Sequence, residues 1–106
     1  MTARSPGSAP GDGSFAIGSG TWPGISKLVE ELGEVAQVAG KLIATGGRAE
    51  HWDGTDLRVR LEDELADLQA AIAFVVRQNQ MDSGRMAERR DAKLRLFSDW
   101  HRTQGR

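Results

Sequence analysis

A chain of 106 residues is the size of one domain. Lys and Arg total 14 against 15 for Asp and Glu, a balance that gives no basis for a nucleic-acid surface or a polyacidic partner. The absence of cysteine excludes disulfides and thiolate metal sites and fits a reducing cytoplasm, and with no apolar run approaching about 18 residues no membrane span is expected.

Met1–Gly20 is rich in Gly, Ser and Pro, with Phe15 and Ile17 the only large apolar side chains after Met1. Such a composition buries too little surface to offset its ordering entropy, and it lacks the long apolar core of a signal peptide. A disordered tail is therefore expected over 1–20, dispensable for folding and turnover. Docking of Phe15 and Ile17 on a partner subunit is the alternative. A helical domain is expected over 21–102 and a frayed end over 103–106, with unravelling starting at Arg102.

Trp22-Pro23 opens the first helix, because Pro suits the first turn and restrains the residue before it. The helix should run from Pro23 or Ile25 to Ala44, where Thr45-Gly46-Gly47 stops it. At roughly 100° per residue, Leu28, Val35, Ala39 and Leu42 fall within about 60° of one another. Leu32, Ile25 and Ile43 widen that stripe on one side. Glu31 falls inside it, Glu34 lies about 60° further round at its edge, and Glu30 lies beyond on the same side.

Arg48–Gly54 reads as a loop, and Thr55 or Asp56 as the cap of a second helix reaching about Asn79. Leu57, Leu61, Leu65, Leu68, Ile72 and Val75 recur at steps of four or three. Glu64 falls inside this stripe, and Asp67 about 60° away at its edge. Asp82-Ser83-Gly84 marks the next turn and cap. A third helix from Met86 to about His101 follows, with Met86, Leu94, Phe97 and Trp100 as a thin apolar stripe. No period-2 alternation occurs. The fold class is all-α: a helical bundle of two long acidic amphipathic helices plus a C-terminal helix. That leaves more apolar surface than one small bundle covers, so a homodimer or homotetramer is expected.

If the first two helices pack through their stripes, Glu31, Glu34, Glu64 and Asp67 converge. Four carboxylates do not share a low-dielectric cleft uncompensated, since burial of charge is costly and like charges repel. A hard divalent cation with oxygen ligands, Mg²⁺ or Mn²⁺, is the simplest compensation. The alternative is a set of solvated helix charges paired with Lys27, Lys41, Arg58 or Arg60. Two acidic pairs of the same phase on the two most amphipathic helices favour convergence.

The order Glu30-Glu31-Leu32-Gly33-Glu34, then Glu64-Leu65-Ala66-Asp67, resembles the EExxE…ExxD signature of the MazG-like all-α nucleoside triphosphate pyrophosphohydrolases. The resemblance spans about Trp22 to Trp100, with a loop somewhat long for the family. It implies Mg²⁺-dependent cleavage between the α- and β-phosphates, giving the monophosphate and pyrophosphate. Glu31, Glu34, Glu64 and Asp67 would be metal ligands, and Glu30 an outer-shell carboxylate or a base for the attacking water. Lys93 resembles the family's basic residue of the third helix, although the Asn often found nearby is missing and Phe97 stands in that region.

Lys27, Lys41 and Arg60 lie on the acidic flanks of their helices, either as surface charges or as contacts to the triphosphate. Trp52 and Trp22 are candidates to stack on the base or to plug the bundle end. His51 is expected in solvent, and Phe97 and Trp100 in the core or a subunit interface. Two other classes compete. A di-iron carboxylate oxidase needs Glu-x-x-His pairs, and neither His51 nor His101 stands at that spacing from an acid. A non-catalytic helical interaction module would not need Glu64 in an apolar stripe and would be indifferent to Mg²⁺.

Overall fold

A computed structural model describes residues 14–105 of the chain. Among these the regular structure is helical only: α1 (Ile25–Ala44), α2 (Leu57–Gln78) and α3 (Ser83–Gln104). The expected all-α class holds. Among the described residues no helix is long and apolar enough to cross a membrane.

Helices α1 and α2 form an antiparallel pair. The Asn79 side-chain amide donates to the carbonyls of Val75 at 2.8 Å and Pro23 at 3.2 Å, tying the end of α2 to the entry of α1. At the other end a Schellman motif closes α1: Gly47 N–H donates to Leu42 C=O at 2.8 Å and Gly46 N–H to Ile43 C=O at 3.0 Å. Both glycines have positive φ, 68° and 90°, which is why this pair ends the helix cleanly. The Asp56 side chain then caps α2, accepting from Arg58 N–H at 2.9 Å and Val59 N–H at 3.3 Å.

Helix α1 starts at Ile25, one of the two expected starts, and ends at the expected Ala44. Its N-cap is Gly24, which has no capping side chain. The carbonyl of Phe15 instead accepts from Ser26 N–H at 2.9 Å and from Ser26 Oγ at 3.0 Å, while Gly24 N–H donates to Ala16 C=O at 3.1 Å. Residues 14–20, placed by composition in a tail, thus form a turn that satisfies donors the helix start leaves free. The rest of that tail, 1–13, lies outside the described residues.

The packing faces are rotated slightly from the stripes read in the sequence. The core of the pair is Val38, Leu57, Ala71 and Val75, with Val38 and Leu57 fully enclosed. Glu31 and Val38 are seven residues apart, about 20° on the helical wheel, so Glu31 sits at the centre of the α1 face. Leu32 and Ile43, at about 100–120° from Glu31, stay exposed, Ile43 at 81%. Leu65 and Ile72 have the same offset from Glu64 and are exposed too. In an antiparallel pair these offsets fall on one side, so a ridge of Leu32, Ile43, Leu65 and Ile72 runs opposite the side bearing Glu34 and Asp67.

Helix α3 begins three residues before the expected Met86, because the Asp82 side chain accepts from Arg85 N–H at 2.9 Å and caps it at Ser83. It continues through Gln104, so the unravelling expected from Arg102 does not begin before the last turn is complete. It buries no residue and makes at most marginal contact with α1 or α2. Phe97 and Trp100 stack on each other at 5.6 Å between ring centroids and remain about half exposed, so within the chain they are not core. The radius of gyration is 17.8 Å, against about 13 Å for a compact chain of about a hundred residues. The projecting α3 accounts for the difference.

Candidate metal centre

Helix phase brings the acids together. Glu31, Glu34 and Glu64 each offer a carboxylate oxygen, and these atoms lie within 4.8 Å of one another. Glu31 is 8% exposed, Glu64 is half-buried and Glu34 is exposed. Glu31 Oε1 and Glu64 Oε1 are buried without a hydrogen-bond partner. Leaving a buried oxygen unpaired is expensive, and both of these belong to the same cluster. Asp67 stands outside the tight trio, but it lines a cavity with Glu31 and its charge acts on that residue.

Burial, above all, pushes the Glu31 carboxyl above its ordinary value. The hydrogen bond with Glu34, the Glu34 charge and the Asp67 charge push the same way, and the Lys27 ammonium opposes them. Lys27 Nζ lies 2.6 Å from Glu30 Oε1 and 3.7 Å from Glu31 Oε2. Both contacts raise the Lys27 pKa, that with Glu30 the more. Glu30 is thereby held at the flank of the cluster, exposed to solvent.

The remaining sequence candidates scatter. Lys41 in the last turn of α1 and Arg60 in the first turn of α2 are half-buried at the loop end of the pair. Trp52 is 89% exposed in that loop, tilted against the His51 ring at 5.2 Å. His51 is not the solvated residue expected: its side chain is largely covered, with Nδ1 2.8 Å from Asp53 Oδ1. Asp53 also accepts from Thr55 Oγ1 at 2.7 Å and Thr55 N–H at 3.0 Å. Those bonds, the hydroxyl's first, hold its carboxyl well below the usual carboxylate range. Trp22 lies at the opposite end, half exposed, beside a shallow cleft lined by Asn79 and Gln80. Lys93 is on α3, with Nζ 5.9 Å from the Phe97 ring centroid, and is not brought to the acids within one chain.

Several residues at the site escaped the sequence reading. Ile17, Gly24, Ala70, Ala71 and Phe74 line a cavity of about 310 Å³ that Lys27, Glu31 and Asp67 complete. Phe74 stands seven residues after Asp67, on nearly the same phase of α2, and that spacing was the available signal. Ile17 stood out in the sequence only as an isolated apolar residue with a partner subunit as its alternative seat, because its place in this chain depends on backbone bonds of the turn. Among known proteins, no family pattern, no curated sequence and no solved structure matches this chain.

Proposed function

We propose that the protein is a Mg²⁺-dependent nucleoside triphosphate pyrophosphohydrolase of the MazG-like type, converting a (d)NTP to the (d)NMP and pyrophosphate in the cytoplasm. The observation that carries this reading is the cluster of Glu31, Glu34 and Glu64, with two buried, unpartnered carboxylate oxygens and Asp67 alongside. An all-oxygen, multiply anionic donor set suits a hard cation, Mg²⁺ or Mn²⁺ in its place. Glu31, Glu34, Glu64 and Asp67 would hold it. When bound, the cation supplies neutralisation of phosphate charge and a more acidic water.

The chain's own residues do the rest. Lys27, 2.6 Å from Glu30 and 3.7 Å from Glu31, presents its ammonium to the triphosphate at the edge of the cluster. Lys41 and Arg60, on the same side of the pair at its loop end, meet the outer phosphates. Glu30 accepts the proton of the attacking water, or orders that water from outside the ligand set. Positioning and electrostatics supply most of the rate in such phosphoryl chemistry.

The exposed ridge of Leu32, Ile43, Leu65 and Ile72 and the bare α3 favour a homodimer or homotetramer. Lys93 reaches an acidic site only across such an interface. The same bare surfaces are what a non-catalytic interaction module would show, and Mg²⁺ separates the two readings. Incubation with each nucleoside triphosphate and Mg²⁺ should release pyrophosphate. Orthophosphate as the primary product rejects the assignment, and binding of a protein partner unaffected by Mg²⁺, without any turnover, favours the module.

A further inference from the structure

The cavity beside the acids has two unlike ends. At one stand Lys27, Glu31 and Asp67, and at the other Ile17, Gly24, Ala70, Ala71 and Phe74. We propose that the apolar end is the seat of the nucleobase, with Phe74 as one wall and Ile17 as its cover. The inference rests on the pyrophosphohydrolase reading and assigns the part of the substrate that the carboxylates do not touch.

Three features of the chain open and hold this pocket. The first is a pair of small residues, Ala70-Ala71, on a helix that elsewhere buries Leu57 and Val75 against its neighbour. Larger side chains there would fill the space. The second is Gly24, with φ 94°, at the point where the turn closes on α2. A Cβ at that position would lie 2.6 Å from Phe74 Cδ2, so only glycine lets the turn approach the ring this closely. The third is the set of bonds from Gly24 and Ser26 to Ala16 and Phe15, which fixes the turn carrying Ile17.

The volume, about 310 Å³, is at the small end of ligand pockets, which suits a base and not a larger group. Continuity matters more than volume. Glu31 belongs both to the carboxylate cluster and to the cavity wall, so one ligand spans both ends if it carries phosphate at one and a flat apolar body at the other. Away from the acidic end the lining offers no polar side chain. Recognition there is by stacking and size, and such contacts discriminate bases poorly. The pocket therefore accepts several bases, with selectivity graded by bulk.

The test compares nucleotides with methyl triphosphate, which has the same phosphates and no base, in wild type and Ala70→Phe. Position 70 is exposed on α2, so Phe there fills the pocket from its rim and spares the helix contacts. In the wild type, KM for dCTP and dATP should be at least tenfold below that for methyl triphosphate. In Ala70→Phe the nucleotide KM should rise to the methyl triphosphate value, with little change in kcat or in the Mg²⁺-induced melting shift. The Ile17 methyl resonances should move when a nucleoside is added to the wild type and stay still in Ala70→Phe. Unchanged nucleotide KM with pyrophosphate still released overturns the proposal and leaves the activity standing. So does an Ala70→Phe effect on light-scattering mass instead of KM, which would mean a second copy fills the pocket. If no substrate yields pyrophosphate, the activity reading falls, and an unmoved Ile17 signal overturns the pocket on its own.

Discussion

Helices α1 and α3 have nearly the same length, 20 and 22 residues, yet they end in opposite circumstances. Helix α3 has the better local start, an Asp82 side-chain cap, and packs against almost nothing. Helix α1 has no capping side chain and is anchored along its whole length by α2 and by the turn before it. Local signals determine where a helix begins, whereas the make-up of its stripe determines what it packs on. The α1 stripe spans enough apolar residues to bury Val38 and to absorb a glutamate beside it. The α3 stripe is interrupted by Arg90 and Lys93, which fall within about 40° of Phe97, and it buries no residue.

The contrast is broken most severely at the acids. Glu64→Gln removes one charge from the α1–α2 face at nearly constant shape. Turnover should fall at least a hundredfold, about 2.7 kcal/mol of transition-state stabilisation. The metal-free protein should melt no lower than wild type, because a buried unpaired carboxylate oxygen is replaced by an amide of lower charge. Mg²⁺ at a hundred times its dissociation constant should stabilise the wild type by about 2.7 kcal/mol and the variant by clearly less. Full activity and a full Mg²⁺ shift in Glu64→Gln would make Glu64 an ordinary helix charge.

Removing the turn tests the anchoring of α1. Deletion through Gly20 takes away the carbonyls that receive Gly24 and Ser26 N–H, two bonds worth about 1 kcal/mol each. Chemical denaturation should show a loss of about 2 kcal/mol, where an inert tail would show none. Gly24→Ala should cost more than about 1 kcal/mol, since φ is positive and the added carbon meets Phe74. A deletion without effect would mean that α1 needs no help at its start.

Much of the acidic site was legible because it depends on phase alone. The step of about 100° per residue puts Glu31 and Glu64 among apolar residues whatever the tertiary details, and Gly46-Gly47 and Asp56 end and start helices by local chemistry. The turn at 14–20 was hidden because its order comes from main-chain carbonyls, which leave no side-chain signature. Val38 was passed over because a stripe centred on Leu28, Val35 and Ala39 is rotated from the true contact. The bareness of α3 was unreadable for a different reason: an apolar stripe shows which face of a helix can pack, not whether the same chain supplies anything to pack on it.

That last point gives a smaller but cleaner test. Phe97→Asp and Trp100→Asp change residues that are already about half exposed within one chain. They should leave helix content and the melting of a single chain within about 0.5 kcal/mol, while reducing the light-scattering mass from an oligomer to one chain. A wild-type mass equal to one chain at micromolar concentration would remove the proposed interface altogether.

The finest distinction between the two helices is their response to pH without metal. Glu31 is the buried acid of α1, and nothing comparable is buried on α3. Its folded pKa is raised above the ordinary 4.5 by burial first, then by Glu34, then by Asp67, against the opposing Lys27 ammonium. A raised folded pKa means that the native state holds the proton more tightly than the unfolded chain does. The associated stability is fully present below the ordinary value and is lost as pH rises through the folded one. In a chelator, the wild-type melting temperature should therefore decline from about pH 4.5 toward neutrality. Glu31→Gln cannot ionise, so its decline should be visibly shallower, with the two curves separating most at neutral pH. Helix content of an isolated α3 peptide should show no corresponding loss over that range. Parallel melting curves for wild type and Glu31→Gln would mean that the Glu31 carboxyl is solvated in the folded protein, and the centre of the α1 face would have to be sought elsewhere.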